Sequence, residues 1–189
     1  MKYFLTADTH FGHTNIIAYC KRPFRDIDEM NTVLIKNWNA RIKPEDTVFV
    51  LGDFCFKTTS ENKMVSGFTN ISDYFQSQLH GHKVFIKGNH DNKTSTKTLI
   101  KSLHIEYGGL IINCVHDPAD FDPGCDINFV GHIHQNWLIR KSKKSILFNV
   151  GVDVHNYMPI TIEEALGKIA RIKKNEAIEE YVNNQNPQP

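Results

Sequence analysis

The sequence predicts an α/β fold in which strands and helices alternate through the first half and strands dominate the second. Three observations carry this. Short apolar runs rich in β-branched and aromatic residues recur along the chain, capped helical periodicities separate the early runs, and mostly strand-like runs follow after them.

Tyr3 to Ala7 is the first run and reads as a largely buried strand. Asp26 then stands where a helix cap belongs, with Glu29 three residues on, and Ile27, Met30, Leu34 and Trp38 recur at three- and four-residue steps. Thr47 to Leu51 is the second strand. Met64, Phe68, Ile71, Phe75 and Leu79 repeat the helical spacing, and Lys83 to Ile86, Leu110 to Val115, Ile127 to Val130 and Ile146 to Val150 supply further strands. Thr161 and Glu164 form a capping box before Ile162, Ala165, Leu166 and Ile169, which share one face of a last helix packed on the sheet. No repeat or linker divides residues 1–182, which read as one domain, and the polar residues 183–189 read as a flexible tail.

Composition narrows the function classes. A chain of 189 residues with 40% hydrophobic content is long enough to bury a substantial core. Lys and Arg number 22 against 21 Asp and Glu, a net charge of +1, which argues against a protein that coats duplex DNA or an anionic membrane. Charge does not point to nucleic acid, but it leaves room for a small phosphorylated substrate held locally. No apolar run approaches the roughly 18 residues of a spanning helix, and Met1 leads straight into a strand, so a cytoplasmic protein without a signal peptide or a membrane partner is expected. The four cysteines form no CxxC pair and read as reduced thiols. The 10 histidines are the odd number, and their positions explain it.

Asp8-Thr9-His10 follows the first strand, Gly52-Asp53 the second, and Gly88-Asn89-His90-Asp91 the third; His116 and Gly131-His132-Ile133-His134 follow later strands. In an open α/β sheet the loops after the strands' carboxyl ends gather on one edge, so these side chains can converge on one site. The glycines before Asp53, Asn89 and His132 suit sharp turns out of the strands. Each block alone is ordinary turn chemistry. Gly-His-x-His says more, because residues two apart on a strand face the same side. Together, Asp8, His10, Asp53, Asn89, His116, His132 and His134 offer carboxylate, imidazole and amide donors with no thiolate, a set suited to Mn²⁺, Fe²⁺, Zn²⁺ or Ni²⁺. They are too many for one four-coordinate ion and suit two ions sharing a carboxylate. Such a pair can hold a bridging hydroxide and clamp a phosphate oxygen, the two-metal route to phosphoester hydrolysis.

With all blocks in this order, the sequence resembles the calcineurin-like metallophosphoesterase superfamily, whose pattern is DxH, GD, GNH[D/E], H and GHxH. Asn149-Val-Gly-Val-Asp153 makes it similar to the small bacterial and phage-type members, and the resemblance runs from Tyr3 to about Asp153. It implies a four-layered αββα sandwich with the metals at the loop edge. It further implies that Asp8, His10, Asp53 and His134 hold one metal, that Asp53, Asn89, His116 and His132 hold the other, and that Asp53 bridges them. Two divalent ions are the implied cofactor, manganese first, with iron, zinc, nickel or magnesium as alternatives. His90 matches the histidine that meets the scissile phosphate and protonates the leaving group, which agrees with the ability of imidazole to donate a proton near neutral pH. Asp91 is expected to orient that imidazole.

A charge count favours diesters. Two dications bring four positive charges; Asp8, Asp53 and one hydroxide cancel three, and a phosphodiester monoanion neutralises the remainder. The expected enzyme is therefore a phosphodiesterase of a small nucleotide or nucleic-acid end, working by in-line attack of the bridging hydroxide. A phosphomonoesterase or protein phosphatase using the same site, and a non-catalytic metal-bound scaffold, are the rivals.

Other residues carry weaker signals. His13 either lines the site together with Asn89 and His90 or is a polar loop residue, and Lys21-Arg22-Pro23-Phe24 is expected to anchor a turn before the Asp26 helix. His155 is expected near the site rim, while His80, His82 and His104 read as surface or turn residues. Arg140 to Lys144 reads as a solvated hairpin turn, and Lys168, Arg171, Lys173 and Lys174 as a polar helix face. The stretches 11–25, 54–63 and 117–126 leave little room for a cap, so an open, shallow site is expected.

Overall fold

The computed structural model describes residues 1–56, 70–91, 95–174 and 178–180. Met64 and Phe68 of the second helical pattern, much of the 54–63 stretch and the tail at 183–189 lie outside these residues.

Two sheets pack face to face. The first has the order β3-β2-β1-β9. Its strands β1 (Tyr3–Thr6), β2 (Thr47–Leu51) and β3 (His82–Ile86) are parallel, and β9 (Ile160–Thr161) runs antiparallel to β1. The second has the order β10-β7-β8-β6-β5-β4, with β5 (Leu110–Val115), β6 (Ile127–Val130) and β8 (Ser145–Asn149) mutually parallel. β4 (Ser102–Tyr107) and β7 (Ile139–Ser142) run antiparallel to β5 and β8, and β10 (Glu179–Glu180) parallel to β7.

The pleat explains why the β1 and β2 runs are continuously apolar. Leu5, Phe49 and Leu51 face the second sheet, where Ile112, Cys114, Ile127, Phe129, Ile146 and Phe148 meet them. The intervening Phe4, Val48 and Val50 face the helices α2 (Ile27–Arg41) and α3 (Ile71–Gln78). Both faces of the sheet are therefore buried. α2 starts as expected: the Asp26 side chain accepts from the Glu29 backbone N–H at 2.9 Å. Its stripe of Met30, Leu34 and Trp38 is buried, and the Trp38 indole N–H donates to the His80 carbonyl at 3.0 Å. α3 is capped by Asn70, whose side chain accepts from the Asp73 N–H at 2.9 Å. α4 (Ile162–Lys174) opens with a reciprocal box: the Glu164 N–H donates to Thr161 Oγ1 at 3.1 Å, and the Thr161 N–H to Glu164 Oε2 at 2.9 Å. Its buried Ile162, Ala165 and Ile169 join the inter-sheet core.

The two packed sheets are the sandwich that the resemblance implies, with one local difference. Among the described residues, the outer face of the second sheet is covered by loop side chains: Trp137, Phe121 and Ile133 pack on Val115, Val130 and Leu147. A polar ladder pins the same loop, since Asn113 donates to Asn128, and Asn128 donates to Ser145 Oγ and the Asp122 carbonyl. Of the basic run, Lys143 (φ 54°) and Lys144 form the β7–β8 turn, while Arg140, Lys141 and Ser142 lie in β7 itself, a correction to the expected solvated turn. The six residues of α1 (Thr14–Tyr19) bury only Ile16, too little for a periodicity. In β4, Leu103, Ile105 and Tyr107 do alternate with Ser102, His104 and Glu106, a strand signal among residues assigned to no element. Among the described residues, no helix is long and apolar enough to cross a membrane.

Candidate metal centre

The carboxyl ends of β1, β2, β3, β5, β6 and β8 all open onto one edge of the sandwich, because the strands that carry the motifs are parallel within each sheet. A bridge between Ala7 and Gly151 joins the two sheets there. Leaving the strands so sharply demands unusual backbone. Asp8 (φ 57°), His10 (φ 51°), Asp53 (φ 51°), His132 (φ 71°) and His134 (φ 47°) all adopt the left-handed conformation. Non-glycine residues hold it at a cost, and such outliers cluster at functional sites. The His132 and His134 pair differs in its cause from the expected strand alternation: β6 ends at Val130, and the histidines are brought together by a left-handed turn.

Two glycines let the loops meet. A Cβ on Gly52, itself at φ +82°, would stand 2.4 Å from His116 Nδ1, and one on Gly88 would stand 2.3 Å from Asp53 Oδ1. Side chains at either position would displace the residues the site is made of.

Two donor clusters result. Asp8, His10 and His134 offer ligand atoms within 4.8 Å of one another, and so do Asp53, His116 and His132. Asp53 links them. Its Oδ2 lies 3.6 Å from His10 Nε2 and 3.5 Å from His116 Nε2, and both imidazole nitrogens are buried without a hydrogen-bond partner. These separations are long for hydrogen bonds, but two donors each about 2.1 Å from one ion at a near-tetrahedral angle stand about 3.4 Å apart. Each donor cluster therefore has the spacing to hold a divalent ion.

The opposite ring nitrogens of His116, His10 and His134 are tied. His116 Nδ1 donates to the Leu51 carbonyl at 2.8 Å, His10 Nδ1 pairs with His13 Nδ1 at 3.2 Å, and His134 Nδ1 lies 2.8 Å from Asp153 Oδ2. Metal-binding histidines are characteristically held this way, which turns Nε2 toward the ion. Both oxygens of Asp8 accept from the His132 backbone N–H, at 3.0 and 2.9 Å.

The electrostatics favour cations. Burial raises the Asp8 carboxyl. Burial also pushes the Asp53 carboxyl up, but the close approach and charge of His116, with the charge of His10, outweigh it and hold Asp53 well below the usual carboxylate range. Burial lowers the His116 imidazole, yet Asp53 and Asp8 carry it up to about 9, while burial leaves His10 well below its ordinary value. Buried carboxylates thus draw protons onto some imidazoles, protons that a divalent ion would displace on binding.

Asn89 is exposed and, with Lys87, Gly88 and His116, lines a cavity of about 240 Å³ at the second cluster. The His90 ring lies at the site, 5.3 Å from the His10 ring and with Nε2 4.0 Å from Asp53 Oδ2, and its backbone N–H donates to Asp53 Oδ1 at 2.8 Å. Asp91 departs from its expected role. Its Oδ2 accepts from the backbone N–H groups of Asp53 and Gly88, both at 2.9 Å, and its Oδ1 is buried without a hydrogen-bond partner. The turn after Gly88 folds this carboxylate beneath the loops, so Asp91 staples β2's exit to β3's exit instead of orienting His90. His13 is buried, stacked on Phe56 at 4.1 Å, and supports His10 from behind. Burial lowers its imidazole to about 4.

Two further expectations change. His155 is a core residue, stacked near Phe148, with Nε2 2.8 Å from the Asn149 carbonyl and Nδ1 3.0 Å from Lys168 Nζ. Arg22 is more than a turn anchor: its guanidinium is buried and pairs with Asp153, which in turn holds His134. Neither Arg22 nor Asp153 stands out as a site residue in the sequence. The available signal was the Asn149 to Asp153 segment, whose aspartate is the one that reaches the site.

A family model described as calcineurin-like phosphoesterase matches residues 1–162. The chain is 40% identical over 172 residues to the uncharacterized protein MJ1445 of Methanocaldococcus jannaschii, covering 86% of this chain and 88% of that one. It is 33% identical over 86 residues to the Gene 66 protein of Mycobacterium phage L5, covering 46% of this chain and 38% of the phage protein. Among solved structures, the protein of unknown function AQ665 from Aquifex aeolicus superposes with a TM-score of 0.66 at 25% identity, covering 89% of this chain and 98% of the other.

Proposed function

Because the chain belongs to the calcineurin-like phosphoesterase family, whose chemistry is metal-dependent phosphoester hydrolysis, we propose that it is a dinuclear phosphodiesterase of a small nucleotide or nucleic-acid end. One observation carries the reading. The Asp53 carboxylate stands between two buried imidazole nitrogens that have no hydrogen-bond partner, 3.6 and 3.5 Å from the same oxygen.

Asp8, His10, Asp53 and His134 would hold one divalent ion, and Asp53, Asn89, His116 and His132 the other, with manganese the expected metal. When bound, the ions supply a hydroxide nucleophile near neutral pH and offset the negative charge of the phosphate. His90 serves as the acid for the leaving oxygen. Its imidazole is 43% exposed, so a substrate can reach it, and the turn that presents it also fixes Asp53 through the backbone N–H. Asn89 and His90 touch the substrate phosphate, and His13 acts through His10. Asp153 does not alter the charge count that favours diesters, because Arg22 neutralises it within the protein.

The test strips the protein of metal, restores Mn²⁺, Ni²⁺, Zn²⁺ or Mg²⁺ one at a time, and compares a chromogenic phosphodiester with the corresponding monoester. Diester turnover with Mn²⁺ is expected. Preference for the monoester would move the assignment to a phosphomonoesterase or protein phosphatase, and inactivity with every metal despite metal binding would leave a scaffold.

A further inference from the structure

We propose that Arg22 and Asp153 are positioning residues that govern loading of one metal site, the one formed by Asp8, His10 and His134, and leave the other to its own supports. The inference rests on the two-ion reading above.

Asp153 Oδ2 lies 2.8 Å from His134 Nδ1, which commits the proton to that nitrogen and turns the Nε2 lone pair toward Asp8 and His10. Arg22 in turn grips both oxygens of Asp153, Nε to Oδ1 at 2.8 Å and Nη2 to Oδ2 at 2.9 Å. The same guanidinium donates to the Asp8 carbonyl at 2.7 Å and to the Thr9 carbonyl at 3.1 Å. Arg22 and Asp153 side chains are 0% and 2% exposed, so the pair works without screening by water.

One cation therefore joins three pieces of the chain. It ties the loop carrying Asp8 and His10 to the turn at Asp153 and, through that turn, to the ring of His134. Asp8, His10 and His134 all sit in left-handed backbone, which persists only where its surroundings hold it. Arg22 provides that hold at the Asp8 and Thr9 carbonyls. Lysine could not replace it, because a single ammonium lacks the planar fork that meets a carboxylate twice while reaching two carbonyls. The second cluster is braced differently: His116 by the Leu51 carbonyl, and Asp53 by the backbone N–H of His90. The two sites share Asp53 and the contact of the His132 N–H with Asp8, but the Arg22–Asp153 pair makes its own hydrogen bonds only to the first.

The experiment titrates metal-stripped protein with Mn²⁺ by calorimetry. Wild type is expected to take two ions. In Asp153→Asn one of the two should bind 10- to 100-fold more weakly, as for other partners of ligating histidines, with the other within twofold of wild type. Adding His116→Ala to Asp153→Asn should abolish the remaining tight ion, whereas adding His10→Ala should spare it. Arg22→Lys should weaken the same ion to a smaller degree. Because a lone buried charge can prevent folding, Arg22→Leu/Asp153→Leu removes both charges together and should show the same selective loss. Equal weakening of both ions, or of neither, overturns the inference. A wild type that takes only one ion refutes the two-ion reading beneath it, and that failure is visible before any variant is made.

Discussion

Replacing Gly88 with alanine tests whether the site depends on close approach of the β2 and β3 exits. The new Cβ would stand 2.3 Å from Asp53 Oδ1, 2.4 Å from the Asp53 nitrogen and 2.9 Å from the Gly52 Cα. Ordinary contact begins near 3.4 Å, so the bridging aspartate must retreat by roughly 1 Å. The obstacle is mostly backbone, which cannot swing aside as the end of a flexible side chain can. Metal ligands tolerate only about 0.2 Å of error, and a misplacement near 1 Å can reduce turnover about 100-fold. Gly88→Ala should therefore lose tight binding of at least one ion and lower kcat/KM on a diester by about 100-fold or more, with about 1–3 kcal/mol of destabilisation from crowding. Calorimetric Mn²⁺ titration and chemical denaturation of the same sample separate the two effects. Gly167→Ala is the control, since a Cβ there meets nothing within 4 Å and lies inside α4. It should keep activity and gain about 0.5–1 kcal/mol. Wild-type metal affinity and turnover in a folded Gly88→Ala protein would refute the reasoning.

Acid should weaken the metal-free protein through His155, whose burial, reinforced by the charge of Lys168, lowers its imidazole from 6.5 to about 4. The unfolded chain then takes up the proton first, so this residue's contribution to stability falls as pH drops from about 6.5 towards 4, by about 3 kcal/mol at most; denaturation of wild type against His155→Gln should show a shallower slope in the variant, the remainder coming from His10 and His13, which burial also lowers. Mn²⁺ at about 100 times its dissociation constant should add about 2.7 kcal/mol per site, hence roughly 5–10 °C in Tm for each site filled, and an unchanged melting temperature would contradict metal binding by the folded state. Trp38→Ala, which empties a fully buried site and frees the His80 carbonyl, should cost about 3–5 kcal/mol in denaturant unfolding while Mn²⁺ stoichiometry in the folded fraction stays at the wild-type value.

The parts of the fold legible in the sequence are those with a local cause. The Asp26 cap, the Met30–Leu34–Trp38 stripe and the Thr161–Glu164 box are read from neighbours a few residues apart, and each holds in the structure. The runs at β1 and β2 are apolar throughout because both faces of their sheet are covered, and their bounds match closely. Elements with weak local signal were harder to see. α1 buries a single residue, and β7 carries Arg140 and Lys141 in a strand of four.

The site divides the same way. The order of DxH, GD, GNHD, H and GHxH identifies the family and the candidate ligands, because the chemistry needs those donor atoms and each stands directly after a strand. The odd abundance of histidine is thereby explained at the level of sequence. Which nitrogen each imidazole presents, what Asp91 holds, that His155 is core and that Arg22 reaches across 131 positions to Asp153 were decided only by the tertiary structure. The physical reason is that hydrogen-bond direction and burial depend on where two distant loops meet in space, and neither residue type nor spacing along the chain encodes that meeting locally.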